Sequence, residues 1–437
     1  MMVLEFFIWG AWLPLIFGYL PSLGFSATQQ SLILNAFPIA AIVGMFFSSQ
    51  FADRHFAAEK FLAFSHCIGG LAMLGLAYTQ EFWPFFLLML VHCLLYVPTI
   101  SITNSIAFAN MTDSKEFGVV RMGGTIGWIL AAWPFTFILV DWEKVNAASP
   151  QGIVDWLGTA LGAGLTGIEL QRGTRWTYIV AGCASLLLAA YSLILPHTPP
   201  KRVAEGEGDE QLAWLEAMKL LKHPFVLILW LVTFVDAFVH NCYFNWTGIF
   251  LGTPVSAGGV GLPGNWIMPV MSVGQIAEIL TMGILAFTLR QLGWRTTMIL
   301  GILGHAARFA VYAYFPQHKE LIILVQVLHG ICYAFFFATV YIFVDEYFPK
   351  DARASAQGLF NLMILGIGAL AANSICPKLL QEVYTTTLPD NTTVVDFKGL
   401  FMVPLLCSTG AAIALALFFH PPKRLEEPAT ESTASAY

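Results

Sequence analysis

Charge is what this sequence has least of. Only 11% of its 437 residues are Asp, Glu, Lys or Arg, against about a quarter in an ordinary soluble domain. Hydrophobic residues make up 57%, and the mean hydropathy is +0.70. A chain so poor in charge cannot dress a water-soluble core, and an all-α membrane protein is the class that fits. The net charge of -6 is spread over the loops and makes no basic patch, so no nucleic-acid partner is expected. The seven cysteines are odd in number and form no C-x-x-C pair. They read as small buried hydrophobes, and neither metal nor cofactor is expected. No H-E-x-x-H, paired catalytic Asp motif or phosphate-cradling glycine loop occurs, which argues against an enzyme. The first apolar run starts almost at Met1, with no basic stretch before it and no A-x-A site after it, so no cleavable signal is expected.

Long apolar runs are what remains. They fall near 3–22, 28–50, 61–79, 82–108, 116–140 and 174–196, then near 225–252, 264–289, 295–315, 320–346, 353–376 and 397–420. A spanning helix takes roughly 20 apolar residues, so twelve fit comfortably in this length. The runs predict a six-helix half over 1–196, a cytoplasmic connector over 197–224, a second six-helix half over 225–420, and a disordered cytoplasmic tail over 421–437. With the N-terminus inside, the inner loops hold thirteen Lys and Arg and the outer loops six, which predicts both termini in the cytoplasm. The segment 142–173 reads as a long outer loop, with "GIVDWLGTALGAGL" as a short interfacial helix. "FADRHFAAEK" after the second run is echoed by "LRQLGWRTT" after the eighth. Two duplicated six-helix halves resemble the major facilitator fold, whose substrate site lies between the halves near mid-membrane.

Ionisable groups inside these runs each need a reason, because one at bilayer depth costs at least about 2.5 kcal/mol. Arg121, Thr125 and Trp128 share a helix face, with Gly123, Gly124 and Gly127 beside them. They read as a site stripe or, at Arg121, as a snorkelling arginine. Asp236 and His240 stand four apart and could pair, while Asn241, Tyr243 and Phe244 suit a planar, hydrogen-bonding ligand. Gln275 and Glu278 stand one turn apart in an almost wholly apolar run. A carboxyl there can bind a proton and release it when water or a cation arrives; the alternative is an ion pair with Arg121 or another helix. Gln326, His329 and Tyr333 share a face that continues to Phe336 and Phe337, as a site wall or as plain packing. Pro98 loosens the fourth run. Arg308 also lies within a run.

Six stretches carry a further resemblance: "FFIWGAWLP", "PTISITNS", "VRMGGTIGWI", "SVGQIAE", "LHGICYAFFF" and "RASAQGLF". Over nearly its whole length the chain resembles the nucleoside:proton symporter family of the major facilitator superfamily. That resemblance implies proton-driven uptake of nucleosides across a bacterial inner membrane, by alternating access, in a protein that works as a monomer. It implies a nucleoside site at Arg121, Thr125, Trp128, Asn241, Phe244, Gln275, Glu278, Tyr333 and Phe337. It places the proton on Glu278, with His329, Asp236 and His240 as the other titratable candidates. Many members carry an Asp after the tyrosine of the tenth run, where this chain has Ala334. Within the same architecture, the competing expectation is a carrier of another small polar solute, such as a sugar or glycoside. A non-transporting sensor would usually add a soluble output domain, and the longest inner segment is under about thirty residues.

Overall fold

The computed structural model describes residues 1–44, 56–111, 117–199, 218–348 and 350–421, with the backbone alone at 117–119 and 350–355. Most of the expected connector, and the tail from 422 onward, lie outside the described residues. Twelve helical segments stand where twelve apolar runs were expected. The first half holds span 1 (Met2–Ser22), span 2 (Ala27–Leu34 and Ala36–Val43), span 3 (Ala58–Leu76), span 4 (Phe82–Ala109), span 5 (Phe117–Ala132) and span 6 (Gly167–Ser192). Span 7 (Pro224–Gly252) opens the second half with proline in its first turn, where no backbone donor is missed. Span 10 runs over Lys319–Leu324, Val327–Cys332, Tyr333–Ala338 and Thr339–Tyr347, and span 11 over Lys350–Asn361, Leu362–Ile367, Gly368–Lys378 and Leu379–Val383. Span 12 is Phe397–Phe418. Seven of the described helical stretches are long and apolar enough by themselves to cross a membrane.

Spans 8 and 9 are two helices within the stretch Gly264–Tyr314, which meet at a single non-helical residue. Its 51 residues would reach about 75 Å if straight, far beyond a hydrocarbon layer of about 30 Å. The chain reverses at Gly293, whose φ of 72° suits a residue with no Cβ. The expected inner loop here is therefore one corner. Span 2 starts on a reciprocal cap: the Gln29 N–H donates to Ser26 Oγ (3.3 Å), and the Ser26 N–H donates to Gln29 Oε1 (2.9 Å). The fifth run is shorter than expected. Helix Phe117–Ala132 stops before Pro134, and a single turn, Phe135–Ile138, completes it.

In the first half, span 3 packs on spans 4 and 6, and span 1 on spans 5 and 6; in the second, span 7 packs on 11 and 12, and the 8–9 pair on 10 and 12. The halves meet through spans 2 and 11, 5 and 8, and 1 and 7. Hydrogen bonds join them towards the end that carries Ser22 and Pro263. There Asn265 Nδ2 donates to Thr136 O (3.1 Å), Trp266 Nε1 to Leu161 O (2.8 Å), Asn373 Nδ2 to Leu34 O (3.0 Å) and Asn35 Nδ2 to Ser374 Oγ (2.9 Å). At the same end the long loop folds into helices Trp142–Ala148 and Ile153–Gly162, and the second leaves Ile153 and Val154 exposed. A short antiparallel hairpin, Thr385–Thr387 with Thr393–Val395, leads into span 12.

Candidate functional site

Span 5 lies close against span 1 because Gly127 has no side chain; a Cβ there would run into the Val3 carbonyl. This brings Arg121 over the Phe6 ring, its guanidinium carbon 4.1 Å from the centroid. One face further along, Trp128 meets Trp9 edge-on at 5.3 Å and reaches across the halves to Phe244 at 6.3 Å. Thr125 sits between them, half-buried.

Span 8 faces this stripe from the other half. Gln275 is buried, and its Oε1 has no hydrogen-bond partner. Glu278 is half-buried, and Arg121 is near enough to act on it electrostatically. Span 10 closes the wall. Gly330 lies against the backbone of Ala277 and Glu278 so tightly that no Cβ would fit, and Gly274 lies against the His329 side chain in the same way. From there the wide turns Tyr333–Ala338 project Tyr333 and Phe337, whose rings stand 5.9 Å apart. His240 of span 7 touches both rings and also Phe244, at 5.3 Å. Asn241 spends its amide on Ala237 O (2.8 Å) and stays half-buried.

Of the nine expected ligand residues, Trp128 and Phe244 meet across the halves, Arg121 acts on Glu278, and Phe244, Tyr333 and Phe337 ring His240, which makes a polar and aromatic belt between the halves. Thr125, Asn241 and Gln275 stand on the same spans. Most of the nine keep some accessible surface, which a packed core would not leave them. Ala334 is not part of this belt: it is fully buried in an apolar seam with Leu285 and Phe335.

The expected pairing of Asp236 with His240 is not what the structure shows. Neither Asp236 oxygen has a hydrogen-bond partner, and neither does His240 Nδ1. The nearest imidazole nitrogen to Asp236 is His305 Nε2, at 3.7 Å. The reason is geometric: His240 stacks on His329 at 5.0 Å, with 25° between the rings, and this turns it towards the belt. His305 and Arg308 were not among the expected site residues. Arg308 is wholly buried, donates to His305 Nδ1 (2.9 Å) and His329 Nδ1 (3.1 Å), and lies over Tyr243 at 4.1 Å. An Arg inside an apolar run was the available signal for it.

A second unexpected network fills the first half. Glu5 is wholly buried and accepts from Thr99 Oγ1 (2.8 Å), and its other carboxyl oxygen meets His66 Nε2 at 2.9 Å. His66 Nδ1 meets Ser185 Oγ at 3.0 Å, and Tyr96 donates to the Glu5 carbonyl at 2.6 Å. Four spans are tied at one carboxyl. Its signal in the sequence was Glu5 itself, a lone charge in the first apolar run.

Two packed six-helix halves with a polar belt between them are the architecture of a membrane transporter. The chain belongs to the Nucleoside H+ symporter family, whose pattern it matches over residues 1–160 and 152–424. It is 30% identical to the putative nucleoside transporter YegT of Escherichia coli, over 96% of this chain and 92% of that protein. It is also 27% identical to the E. coli xanthosine permease, over 84% of each. Among solved structures, the nucleoside transporter NupG superposes with a TM-score of 0.76 at 23% identity, covering 96% of this chain and 97% of that one. A D-xylose-proton symporter superposes with a TM-score of 0.64 at 14% identity, over 96% and 97% of the two chains. At those identities the superpositions speak for the fold.

Proposed function

We propose that the belt binds a nucleoside, and that the chain carries it into a bacterial cell together with protons by alternating access. The observation that carries the reading is the pairing of stacking surfaces with an unused hydrogen-bonding group. Trp128 and Phe244 meet edge-on across the halves, and buried Gln275 holds an acceptor with no partner among the described residues. A buried polar atom without a partner is rare, and an amide oxygen suits the edge of a planar base. Arg121 and Thr125 add donors from the opposite half, while Asn241, Tyr333 and Phe337 complete the wall.

Coupling falls first on Glu278. Rocking of the halves would carry the carboxyl towards and away from Arg121, and the proton would exchange with that movement. His329, Asp236 and His240 are the further titratable groups beside the belt. The excess of Lys and Arg in one set of loops supports both termini on the cytoplasmic side of the inner membrane. On that reading the hydrogen bonds at the Ser22 and Pro263 end seal the outer face.

The test is uptake of labelled purine and pyrimidine nucleosides, with sugars as controls, into proteoliposomes with and without an imposed proton gradient. Gradient-driven accumulation of nucleosides alone is expected. Accumulation of a sugar without nucleosides would overturn the substrate, and nucleoside entry indifferent to the gradient would overturn the coupling.

A further inference from the structure

The two halves repeat a carboxyl–imidazole pair. Glu5 stands seventeen residues before the end of span 1 at Ser22, and Asp236 sixteen before the end of span 7 at Gly252. His66 stands ten residues before the end of span 3 at Leu76, and His305 nine before the end of span 9 at Tyr314. Helix ends are defined to within one or two residues, so the two pairs occupy equivalent levels of equivalent spans.

Their proton arrangements differ, and donor rules define each. In the first half Ser185 Oγ donates to the His66 carbonyl (2.9 Å), so it accepts from His66 Nδ1–H. One proton remains between Glu5 and His66 Nε2, and either location of it keeps every bond. In the second half a guanidinium can only donate, so the Nδ1 atoms of His305 and His329 must both accept from Arg308. Each ring therefore carries its proton on Nε2, and neither can take a second one without losing Arg308. Asp236 is left with two buried, unpartnered oxygens and the unpartnered Nε2 of His305 at 3.7 Å. Arg308 acts on Asp236 electrostatically and has other partners besides. It has two imidazole acceptors and the rings of Tyr243 at 4.1 Å and Phe309 at 5.2 Å. The groups facing Asp236 are Arg308 and His305 from span 9 and Cys332 from span 10, with His240 one turn along its own helix. Spans 11 and 12 bring Asn373, Cys376 and Cys407 to span 7 at the level of Cys242 and Asn245.

Resting on the reading of the chain as a proton-coupled carrier, we propose that Asp236 is a second proton-binding carboxyl, the counterpart of Glu5. It loads and empties through His240, while Arg308 holds His305 and His329 neutral. A proton leaves water at the belt, passes by way of His240 and ends on an Asp236 oxygen, turning a charged carboxylate into a neutral acid; release is the reverse. His240 stands one turn along span 7 from Asp236 with its ring towards the belt, and it reaches Asp236 when that ring turns back. Its Nδ1 is unpartnered, it is half-buried, and it touches Phe244, Tyr333 and Phe337. Glu5, with both oxygens bonded, keeps its shared proton throughout the cycle.

The experiment reads protonation directly, without substrate, in the purified full-length chain. Infrared difference spectra between neutral and acidic pH are expected to show a protonated-carboxyl band that Asp236→Asn removes and Glu5→Gln leaves. The Asp236→Asn protein is expected to bind about one proton fewer over the same interval. Asp236→Asn with an unchanged band and proton count would overturn the proposal. Should that variant not fold, 15N spectra of histidine-labelled wild type decide: His305 and His329 are expected to stay in the neutral Nε2–H form, and conversion of either to imidazolium would overturn it. Because neither measurement involves transport, a wild-type chain that binds this proton but moves no nucleoside would sink the proposed function and leave the site standing.

Discussion

Glu5 and Asp236 hold matching places in the two halves, yet one is fully bonded and the other is not. Around Glu5 both carboxyl oxygens have partners, and the pair with His66 closes at 2.9 Å. Around Asp236 an arginine has taken the imidazoles, and the corresponding gap is 3.7 Å. A closed network has one low-energy arrangement and ties helices together; one with spare capacity can change its proton content without breaking a bond. The contrast suits a carrier in which the first half is the fixed wall and the second holds the chemistry, since Gln275, Glu278, His240 and Tyr333 all belong to the second.

The largest expected effect comes from exchanging carboxyl for amide in each half. Glu278→Gln should abolish accumulation against a gradient while leaving counterflow exchange of preloaded nucleoside. Glu5→Gln should accumulate substrate with the wild-type pH dependence. Uptake into proteoliposomes at several external pH values reads both, and equal loss in the two variants would break the comparison.

Arg308→Gln comes next. Removing one partner from a buried charged cluster costs about 3–5 kcal/mol, and the combination Arg308→Gln with Asp236→Asn should recover a large part of it. Thermal unfolding in detergent, followed by tryptophan fluorescence, gives the figures. A double variant no more stable than the single one would show that Asp236 and Arg308 do not sense each other.

Gln275→Ala should weaken nucleoside binding by about 1–3 kcal/mol, the usual cost where a buried polar group loses its partner. Calorimetric titration across several nucleosides checks it, and unchanged affinity for all of them would remove Gln275 from the site.

Ser185→Ala should be the mildest for transport. It deletes two hydrogen bonds to His66, at its carbonyl and at Nδ1, and should cost about 1–3 kcal/mol of stability with no change in transport. A clear change in coupling there would mean that the first-half network moves during the cycle.

Twelve spans and the candidate belt were legible because both announce themselves one residue at a time. Apolar runs are long, and polar residues inside them are few, so Arg121, Gln275 and Glu278 stand out from their neighbours. The pairing of Asp236 with His240 was misread because spacing along a helix gives two groups a common face but not a common partner. His305 and Arg308, some seventy residues further on, occupied that place. The same blindness hid Glu5 and His66, which meet only when spans 1 and 3 pack. Ala334 shows the limit from the other side: its neighbour Tyr333 points at the belt, yet the wide turns of span 10 turn Ala334 into an apolar seam with Leu285.

By itself the sequence determined the environment, the number of spans and the residues costly enough to need a purpose, because transfer of each side chain from water to lipid is a local quantity. Tertiary structure alone decided which of those residues meet, and so which nitrogen of each histidine carries its proton. Hydrogen bonds are directional and saturable, and each donor and acceptor is assigned only once its neighbours from other spans are in place.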